Sequence, residues 1–311
     1  DFATIADVFA EVIVSPALPD DSIGREKASQ FASLEEALQD PLHTGFRILR
    51  QAVFSGNGYG LDALGSVDSL SALDRAKLSA HHARHFNASN ITLAIAGDFD
   101  PVTTLELLTE KFASLPQGEP WSAPASRLAP GGDLSHHLPK KQAVLTIGFP
   151  GTTVSGKDRH ALAMINEYAS DMAGPLFARI REELGLAYQV GATQFLGYDT
   201  GLFTFYLATS PEQAVLARRE LMAEIAKIAA HGIPEEAFDR VRSTVLSGLA
   251  IQQQSPSSTA RHVALDLLFG HPADEYRRLA AAYNALTFEQ VREAAARIFS
   301  ITPTVVTVLP E

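Results

Sequence analysis

The sequence has no cysteine among its 311 residues. Disulfides, thiolate metal sites and cysteine nucleophiles are therefore excluded, although this absence does not select a cellular compartment. No apolar run reaches the roughly 18 residues that cross a bilayer, so no membrane span is expected. Basic residues are also few, since 25 Lys and Arg face 36 Asp and Glu for a net charge of −11. That balance argues against nucleic acid as a partner and leaves basic or unfolded peptides open.

The start of the sequence lacks both an initiator Met and a signal peptide. The first residues, DFATIADVFAEVIVSPALP, have no basic start followed by a long apolar segment. Their pattern is that of an amphipathic helix whose first part would lie before the first residue. We therefore expect a processed or truncated form of a longer protein. Composition and short loops suggest a bacterial chain of the periplasm or cytoplasm, without deciding between the two compartments.

What the sequence does contain is an α+β pattern. Apolar residues spaced by three or four predict helices in both parts of the chain, and short β-branched runs predict strands at NITLAIAGDF, KQAVLTIGFPG, LAYQVGATQFLG, GLFTFYLATS and TPTVVTVLP. Strands followed by blocks of helices, rather than strict alternation, predict helices layered on antiparallel sheets. In the first part the predicted helices lie at about 1–15, 20–40, 41–54, 71–86 and 101–114.

A segment rich in Pro, Gly and Ser divides the chain. It covers 115–134, LPQGEPWSAPASRLAPGGDL, and its composition is typical of a linker between domains. The sequence therefore predicts one domain over 1–114 and another over 135–311.

These two parts are similar to each other. SALDRAKLSAHHARHFNASNITLAIAGD aligns with NALTFEQVREAAARIFSITPTVVTVLP at an offset of 213 residues, with Arg84 on Arg297 and Phe86 on Phe299. The same helix-then-strand element thus ends both parts, which predicts two homologous repeats. At this offset the strand that opens the second repeat has its counterpart about 70 residues before the first residue. We therefore expect the first repeat to be incomplete at its N-terminus.

Three histidines in the run HHARH raise the question of a metal site. His81 and His85 are four residues apart, a spacing with which helical imidazoles bind zinc. A helical zinc enzyme also needs a carboxylate base beside them, whereas Arg84 precedes His85. In the repeat alignment the three histidines fall on Ala294, Ala295 and Ile298. The pattern favours a packing helix over a metal site.

Four stretches in order carry a resemblance to a known family. They are SPALPDDSIGREKASQFASLEEALQDP, FSGNGYGLDALGSVDSLSALDRAKLSAHHARHFNASNITLAIAGDFDP, LTIGFPG and GPLFARIREELGLAYQVGA. With them the chain resembles the zinc peptidases that include mitochondrial processing peptidase, insulin-degrading enzyme and pitrilysin. The resemblance implies an H-x-x-E-H zinc motif on an earlier helix, which this sequence does not contain, and a further glutamate ligand.

The position of that further glutamate is present in the sequence. By the resemblance it falls at Ser33, whose hydroxyl is a poor zinc ligand. Glu35 and Glu36 lie about 200–300° around the helix from position 33, so they are interpreted as a solvated face. We therefore expect this chain to bind no zinc and to have no catalytic residue of its own. The zinc is expected in a partner subunit.

The resemblance also implies a substrate-binding pair. Arg181 and Tyr188, seven residues apart in REELGLAY, match an Arg and a Tyr that bind substrate and polarise the scissile carbonyl in active members. Both side chains donate hydrogen bonds, as stabilisation of an oxyanion requires. A surface salt bridge for Arg181 and a simple strand position for Tyr188 are the alternative.

Extended peptides in this family bind by adding a strand to a sheet edge. The strands LTIGFPG and AYQVGA are candidates for such an edge. The aromatic residues that follow could line a peptide channel, or, as alternating strand residues more often do, fill the core. They are Phe195, Tyr198, Phe203, Phe205 and Tyr206.

These observations predict a zinc-less subunit of a heterodimeric metallopeptidase, inactive alone. It would pair with a homologous catalytic subunit and supply half of a chamber for unfolded peptides. One alternative is a catalytic zinc endopeptidase that lacks its H-x-x-E-H segment here. Another is a non-enzymatic scaffold of the same fold, like the core subunits of the respiratory bc1 complex, although a scaffold has no need of Arg181 and Tyr188.

Overall fold

The computed structural model describes residues 2–311 and has the predicted α+β class. In the described residues no helix is both long and apolar enough to cross a membrane. The helices are α1 Phe2–Val14, α2 Asp20–Gln39, α3 Pro41–Val53, α4 Val67–Ser71, α5 Arg75–His85, α6 Pro101–Lys111, α7 Arg159–Ser170, α8 Ala214–His231, α9 Glu235–Gln252, α10 Pro256–Leu268, α11 Glu275–Ala285 and α12 Phe288–Phe299. The strands are β1 Gly132–Leu138, β2 Ala143–Pro150, β3 Gln189–Leu196, β4 Gly201–Thr209 and β5 Thr304–Pro310, and a π-helix spans Leu176–Glu183.

The strands form one five-stranded sheet in the order β1-β5-β2-β4-β3. Three of its pairings are antiparallel, as expected, and β1 pairs with β5 in parallel. Ile147 in β2 lies opposite Phe205 in β4 and opposite Val305 in β5, which fixes the register of the three central strands. The outer strands β1 and β3 form the two edges of the sheet.

The chain divides into two compact units. The first contains the residues up to Glu35, Leu64–Pro124 and Ser255–Ala273. The second contains Glu36–Ala63, Ala125–Gln254 and Asp274–Glu311, and it holds the whole sheet. The compact units are defined by contacts between residues, and contacts do not show whether two segments are homologous. The two homologous repeats over 1–114 and 135–311 therefore stay a prediction.

One face of the sheet carries the main core of the second unit. Four aromatic rings meet there edge to face, with centroids 5.0 to 6.2 Å apart, which is the range in which such pairs attract. They belong to Phe149, Phe203, Phe205 and Phe299. Helices α7, α8 and α12 cover this face, and a fully buried side chain such as Ile165 contributes about 2 kcal/mol by leaving water.

Helix α3 covers the other face. Asp40 begins the helix by accepting a hydrogen bond from the Leu42 amide at 2.8 Å. Gly45 allows close approach, because a Cβ there would lie 3.2 Å from the Thr146 methyl carbon. Leu49 then packs on the sheet with no exposed surface.

The strand predicted at NITLAIAGDF is wrong, since residues 90–99 form neither strand nor helix. Its counterpart β5 lies between β1 and β2 and is hydrogen-bonded on both sides. Within the described part of the chain no strand runs beside 91–97, so this segment has no ladder in which to be a strand. Leu93 is 42% exposed, and with residues of α6 it lines a cavity of about 500 Å³.

Candidate functional site

The candidate site begins at the loop between α7 and the π-helix. Asp171 accepts a hydrogen bond from the Ala173 amide at 3.1 Å and pairs with Arg240. These contacts, the amide of Ala173 first and then Arg240, lower the pKa of Asp171. Gly174 is required next, because a Cβ there would lie 2.1 Å from the Tyr168 carbonyl oxygen. The loop thereby directs the chain into the π-helix.

The π-helix is a rare conformation that occurs often at functional sites. Leu176 and Ile180 anchor it in the core without exposed surface. Gly185, with φ of +60°, allows the chain to reverse, and the Leu186 amide then donates to the Ile180 carbonyl at 2.9 Å. These contacts fix the backbone from which the polar side chains of the π-helix project.

Arg181 and Tyr188 are brought together by this turn. The Arg181 Nη1 donates a hydrogen bond to the Tyr188 carbonyl oxygen at 3.0 Å. The Tyr188 side chain is 86% exposed, so its phenol is open to a ligand. The guanidinium is partly exposed as well, and Glu182 lies 3.9 Å from its Nε. A partly exposed guanidinium is thus bonded to the backbone of a residue with an exposed phenol, just before β3.

A neighbouring arginine is paired more closely. Arg179 forms an ion pair with Glu183 and a second, at 3.4 Å, with Glu220. The hydrogen bond from Arg219, followed by the charge of Arg179, lowers the pKa of Glu220, which therefore stays ionised. Arg181 is thus the less neutralised of the two arginines on the π-helix.

Two further residues at this site were missed in the sequence. Phe177 lies under Arg181, with the guanidinium carbon 4.7 Å from its ring centroid, a cation–π contact that holds the side chain in place. Phe177 precedes Arg181 by four residues, and on a helix this spacing would have predicted that the two side chains are neighbours. Ser170, at the end of α7, bonds to the backbone of Ala192 in β3. Nothing in the sequence indicates that contact, because it depends on where α7 meets the sheet.

The expected ligand position carries no carboxylate. Ser33 is exposed on α2, and Glu35 and Glu36 are exposed as predicted for a solvated face. Among residues 2–311 no group of three or more His, Asp or Glu side chains is arranged to hold a metal ion.

The histidine run lies on α5 as predicted. The rings of His81 and His85 are 4.5 Å apart, and His82 contacts the Ile13 carbonyl oxygen at 2.8 Å. The pKa of His85 is lowered by burial first and then by the charges of His81 and Arg84. Helix α5 has no buried residue, whereas α12 buries the aligned Ala294, Ala295 and Ile298, so the interpretation as a packing helix stays a prediction.

The aromatic residues after Tyr188 divide into core and surface. Phe203 and Phe205 are fully buried in the main core, so the channel interpretation is wrong for them. Phe195 packs against Tyr59 with ring centroids 4.9 Å apart. Tyr198 remains 64% exposed. The candidate surface is therefore limited to the π-helix, Tyr188 and the outer edge of β3.

Known proteins of one family share this sequence and fold. The family model described as the peptidase M16 inactive domain matches residues 72–245, more than half of the chain. A curated relative from Rickettsia bellii, named an uncharacterized zinc protease, is 29% identical over 252 residues, which cover 79% of this chain and 60% of that protein. The chain thus spans less than two thirds of the length of that relative.

Solved structures show the same fold. The peptidase M16 inactive domain from Pseudomonas fluorescens covers 99% of this chain with a TM-score of 0.91 and 20% identity, and 74% of that chain is matched. A protease from Helicobacter pylori covers 99% of this chain with a TM-score of 0.87 and 16% identity, over 77% of its own length. At these identities the likeness concerns the fold alone.

Proposed function

Since the chain belongs to the peptidase M16 family and matches the model of its inactive domain, we propose that it is the substrate-binding, non-catalytic subunit of a two-chain zinc peptidase. Its role is to hold an unfolded peptide against the zinc centre of a homologous partner. Arg181 and Tyr188 are the residues that bind the peptide.

The observation that carries this proposal is the hydrogen bond from the Arg181 guanidinium to the backbone carbonyl of Tyr188, whose own side chain is exposed. A scaffold gains nothing from an 86% exposed tyrosine beside a partly exposed arginine at the start of an edge strand. Arg179 on the same π-helix is paired with two carboxylates, whereas the carboxylate beside Arg181 is that of Glu182, 3.9 Å from its Nε. The arrangement instead leaves the guanidinium and the phenol, both hydrogen-bond donors, accessible to solvent.

Those donors fit the chemistry of amide hydrolysis. The scissile carbonyl oxygen gains negative charge as it is attacked, and donors aimed at that oxygen stabilise the transition state. The phenol of Tyr188 and the guanidinium of Arg181 are such donors. Neither is a nucleophile or a general base, so both act on a reaction whose remaining groups lie elsewhere.

The zinc of the proposed enzyme is assigned to the partner. Ser33 stands where the resemblance implies a glutamate ligand, and a neutral hydroxyl does not replace a carboxylate on zinc. The net charge of −11 favours peptides that are basic or neutral. This chain would therefore contribute binding and orientation.

The test measures peptidase activity and zinc content together. The full chain is assayed on a quenched unstructured peptide, alone and mixed with a zinc-binding homologue encoded in the same genome. We expect cleavage only in the mixture. Arg181→Ala or Tyr188→Phe should lower kcat/KM of the mixture on the order of a hundredfold, with zinc content unchanged.

Matched controls come from the same surface. Arg179→Ala removes an arginine from the same π-helix, and Tyr198→Phe removes the phenol of an exposed tyrosine in the next turn. Both should leave activity within about twofold. Cleavage and stoichiometric zinc in the chain alone would show a catalytic peptidase instead. A mixture whose activity is unchanged by Arg181→Ala and Tyr188→Phe would favour a scaffold.

A further inference from the structure

The outer edge of β3 is already in part hydrogen-bonded. The Ser170 hydroxyl accepts from the Ala192 amide at 2.9 Å and donates to the Ala192 carbonyl oxygen at 2.9 Å. In an antiparallel strand the N–H and C=O of one residue point to the same side. Both groups of Ala192 therefore point away from β4, and one side chain pairs them both.

The same alternation identifies the other groups on this edge. The register between β3 and β4 begins at Gln189 and is continuous, so the N–H and C=O of Val190 point outward like those of Ala192. The Gln189 N–H points toward β4, and the Tyr188 carbonyl, on the opposite side of the same peptide group, points outward. The Tyr188 carbonyl is the acceptor of the Arg181 hydrogen bond at 3.0 Å. Val190 lies between Tyr188 and Ala192, whose outward backbone groups are hydrogen-bonded to side chains of this chain. Its own N–H and C=O point outward, and a peptide strand can form ladder hydrogen bonds with them.

We propose that Ser170 sets the length of peptide that can add to the edge of β3. This inference rests on the proposed function, in which the peptide lies beside Arg181 and Tyr188. The peptide pairs at Val190 and at the Tyr188 carbonyl, where its N–H replaces the Arg181 donor. Pairing stops at Ala192, because the Ser170 hydroxyl already holds both backbone groups there.

The replacement at Tyr188 gives Arg181 a second role. When a peptide N–H takes the Tyr188 carbonyl, the guanidinium loses that acceptor and can turn to a carbonyl oxygen of the peptide. One hydrogen bond within the protein is exchanged for two with the ligand. Ser170 is then a specificity-determining residue, and it limits the ladder to a short stretch of the bound chain.

The block also protects the free protein. An edge strand with unpaired backbone groups is a template for aggregation, and natural proteins cover such edges. A single hydroxyl at Ala192 interrupts the edge near its middle. By the same alternation it separates the outward groups of Val190 from those of Gln194 and Leu196, so another copy of β3 meets two short stretches in place of one continuous template.

The experiment measures the affinity of the full chain for a fluorescent unstructured peptide by anisotropy. Ser170→Ala removes the hydroxyl and should tighten binding about threefold to tenfold, because two backbone groups become available to the peptide. Ser170→Thr keeps a hydroxyl and should bind like the wild type. A peptide of the same sequence with N-methylated backbone amides cannot form a ladder and should show no gain.

The outcomes separate this inference from the proposed function. Unchanged or weaker binding by Ser170→Ala overturns the role of Ser170, while loss of binding by Arg181→Ala in the same series keeps the proposed function. An equal gain for the N-methylated peptide also overturns it. Absence of binding by the wild type and by Ser170→Ala overturns both.

Amide hydrogen exchange on the wild-type chain gives a second test that needs no variant. The Ala192 amide should be protected without peptide and unchanged with it. The Val190 amide should exchange fast in the free chain and slow when peptide is added. Protection of both amides only in the presence of peptide would show that Ser170 does not block the edge.

Discussion

Arg159 and His160, at the start of α7, lie next to Glu275 and Tyr283 of α11. These four side chains form a half-buried polar cluster. Arg159 pairs with Glu275, donates to the Val154 carbonyl at 2.6 Å and donates from Nε to the His160 Nε2 at 3.0 Å. The His160 ring packs edge to face on Tyr283 at 4.9 Å. An imidazole that accepts a hydrogen bond at Nε2 must be neutral there.

The neutral imidazole makes this cluster sensitive to acid. Burial first, and then the charge of Arg159, lowers the pKa of His160 from 6.5 to about 4. The unfolded chain therefore binds a proton at this residue at a higher pH than the folded chain does. The stabilising contribution is complete above pH 6.5 and is lost progressively as the pH falls toward 4.

We predict that His160→Gln flattens the acid side of the stability profile. Urea unfolding at pH 7 and pH 4 should show a smaller loss of unfolding free energy in the variant, because the amide still accepts from Arg159 but does not titrate. His137→Gln, at an exposed position on β1, should keep the wild-type loss. Equal losses in His160→Gln and the wild type would mean that other groups cause the acid sensitivity.

At the same scale, sequence reasoning found the candidate pair but not its surroundings. Arg181 and Tyr188 were identified by their spacing in a family resemblance, and the structure places the guanidinium on the Tyr188 carbonyl. Phe177 was within reach, four residues before Arg181. The contact of Ser170 could not be predicted, because tertiary packing sets the position of the end of α7 beside β3 and no local sequence pattern indicates it.

At the scale of elements, helices were foreseen better than strands. The predicted helices over 20–40 and 41–54 correspond to α2 and α3 within one residue at each end. The backbone hydrogen bonds of a helix form between residues of the helix itself, so the local spacing of apolar residues is enough to predict it. A strand needs neighbours, and residues 91–97 have none in the described structure although they align with β5 at the offset of 213.

This difference predicts unequal effects of equivalent substitutions. Val306 in β5 has no exposed surface, and Val306→Ala should lower the unfolding free energy by about 2.5 kcal/mol. Leu93, its counterpart at the same offset, is 42% exposed, and Leu93→Ala should cost less than about 1 kcal/mol. Urea unfolding followed by circular dichroism compares the two. A cost for Leu93→Ala as large as that for Val306→Ala would show that residues 91–97 are a buried strand in solution.

At the scale of the whole molecule, five helices of the first half correspond in order to five helices of the second, while α6 and α7 have no counterpart among residues 2–311. Shifted by 213 residues, α5 covers 288–298, which is α12 to within one residue. The same shift places α1 on α8, α2 on α9, α3 on α10 and α4 on α11. This order supports the proposed repeat, which was detected from a far shorter alignment.

The compact units are not made of contiguous halves. Glu36–Ala63, from the first half, belongs to the second unit, and Ser255–Ala273, from the second half, belongs to the first. Shifted by 213, the first of these segments covers 249–276, so each half gives the equivalent segment to the other unit. The segment rich in Pro, Gly and Ser predicts a change of repeat in the sequence, but only the folded chain reveals this exchange.

The exchange predicts which fragment of the chain can fold. In the second unit Leu49 and Val53 of α3 cover Val144 and Val308, all at most 2% exposed. A fragment of residues 125–311 leaves that sheet face in water, so it should bind a hydrophobic dye and unfold without a cooperative transition. A fragment of residues 36–311 keeps α3 and should unfold cooperatively in urea. The two fragments differ only in 36–124, so equal midpoints would mean that the C-terminal half folds without α3.

A single substitution in the intact chain measures the same dependence. Leu49→Ala should lower the unfolding free energy by about 3 kcal/mol, because it opens a cavity between α3 and the sheet. Leu61→Ala, at a position 64% exposed in the same segment, should cost no more than about 0.5 kcal/mol. If both cost equally little, α3 would be an accessory to the sheet, and the fragment of residues 125–311 would be expected to fold. A large cost at Leu49 alone makes the helix from the first half an obligatory part of the core that supports Arg181, Tyr188 and the edge of β3.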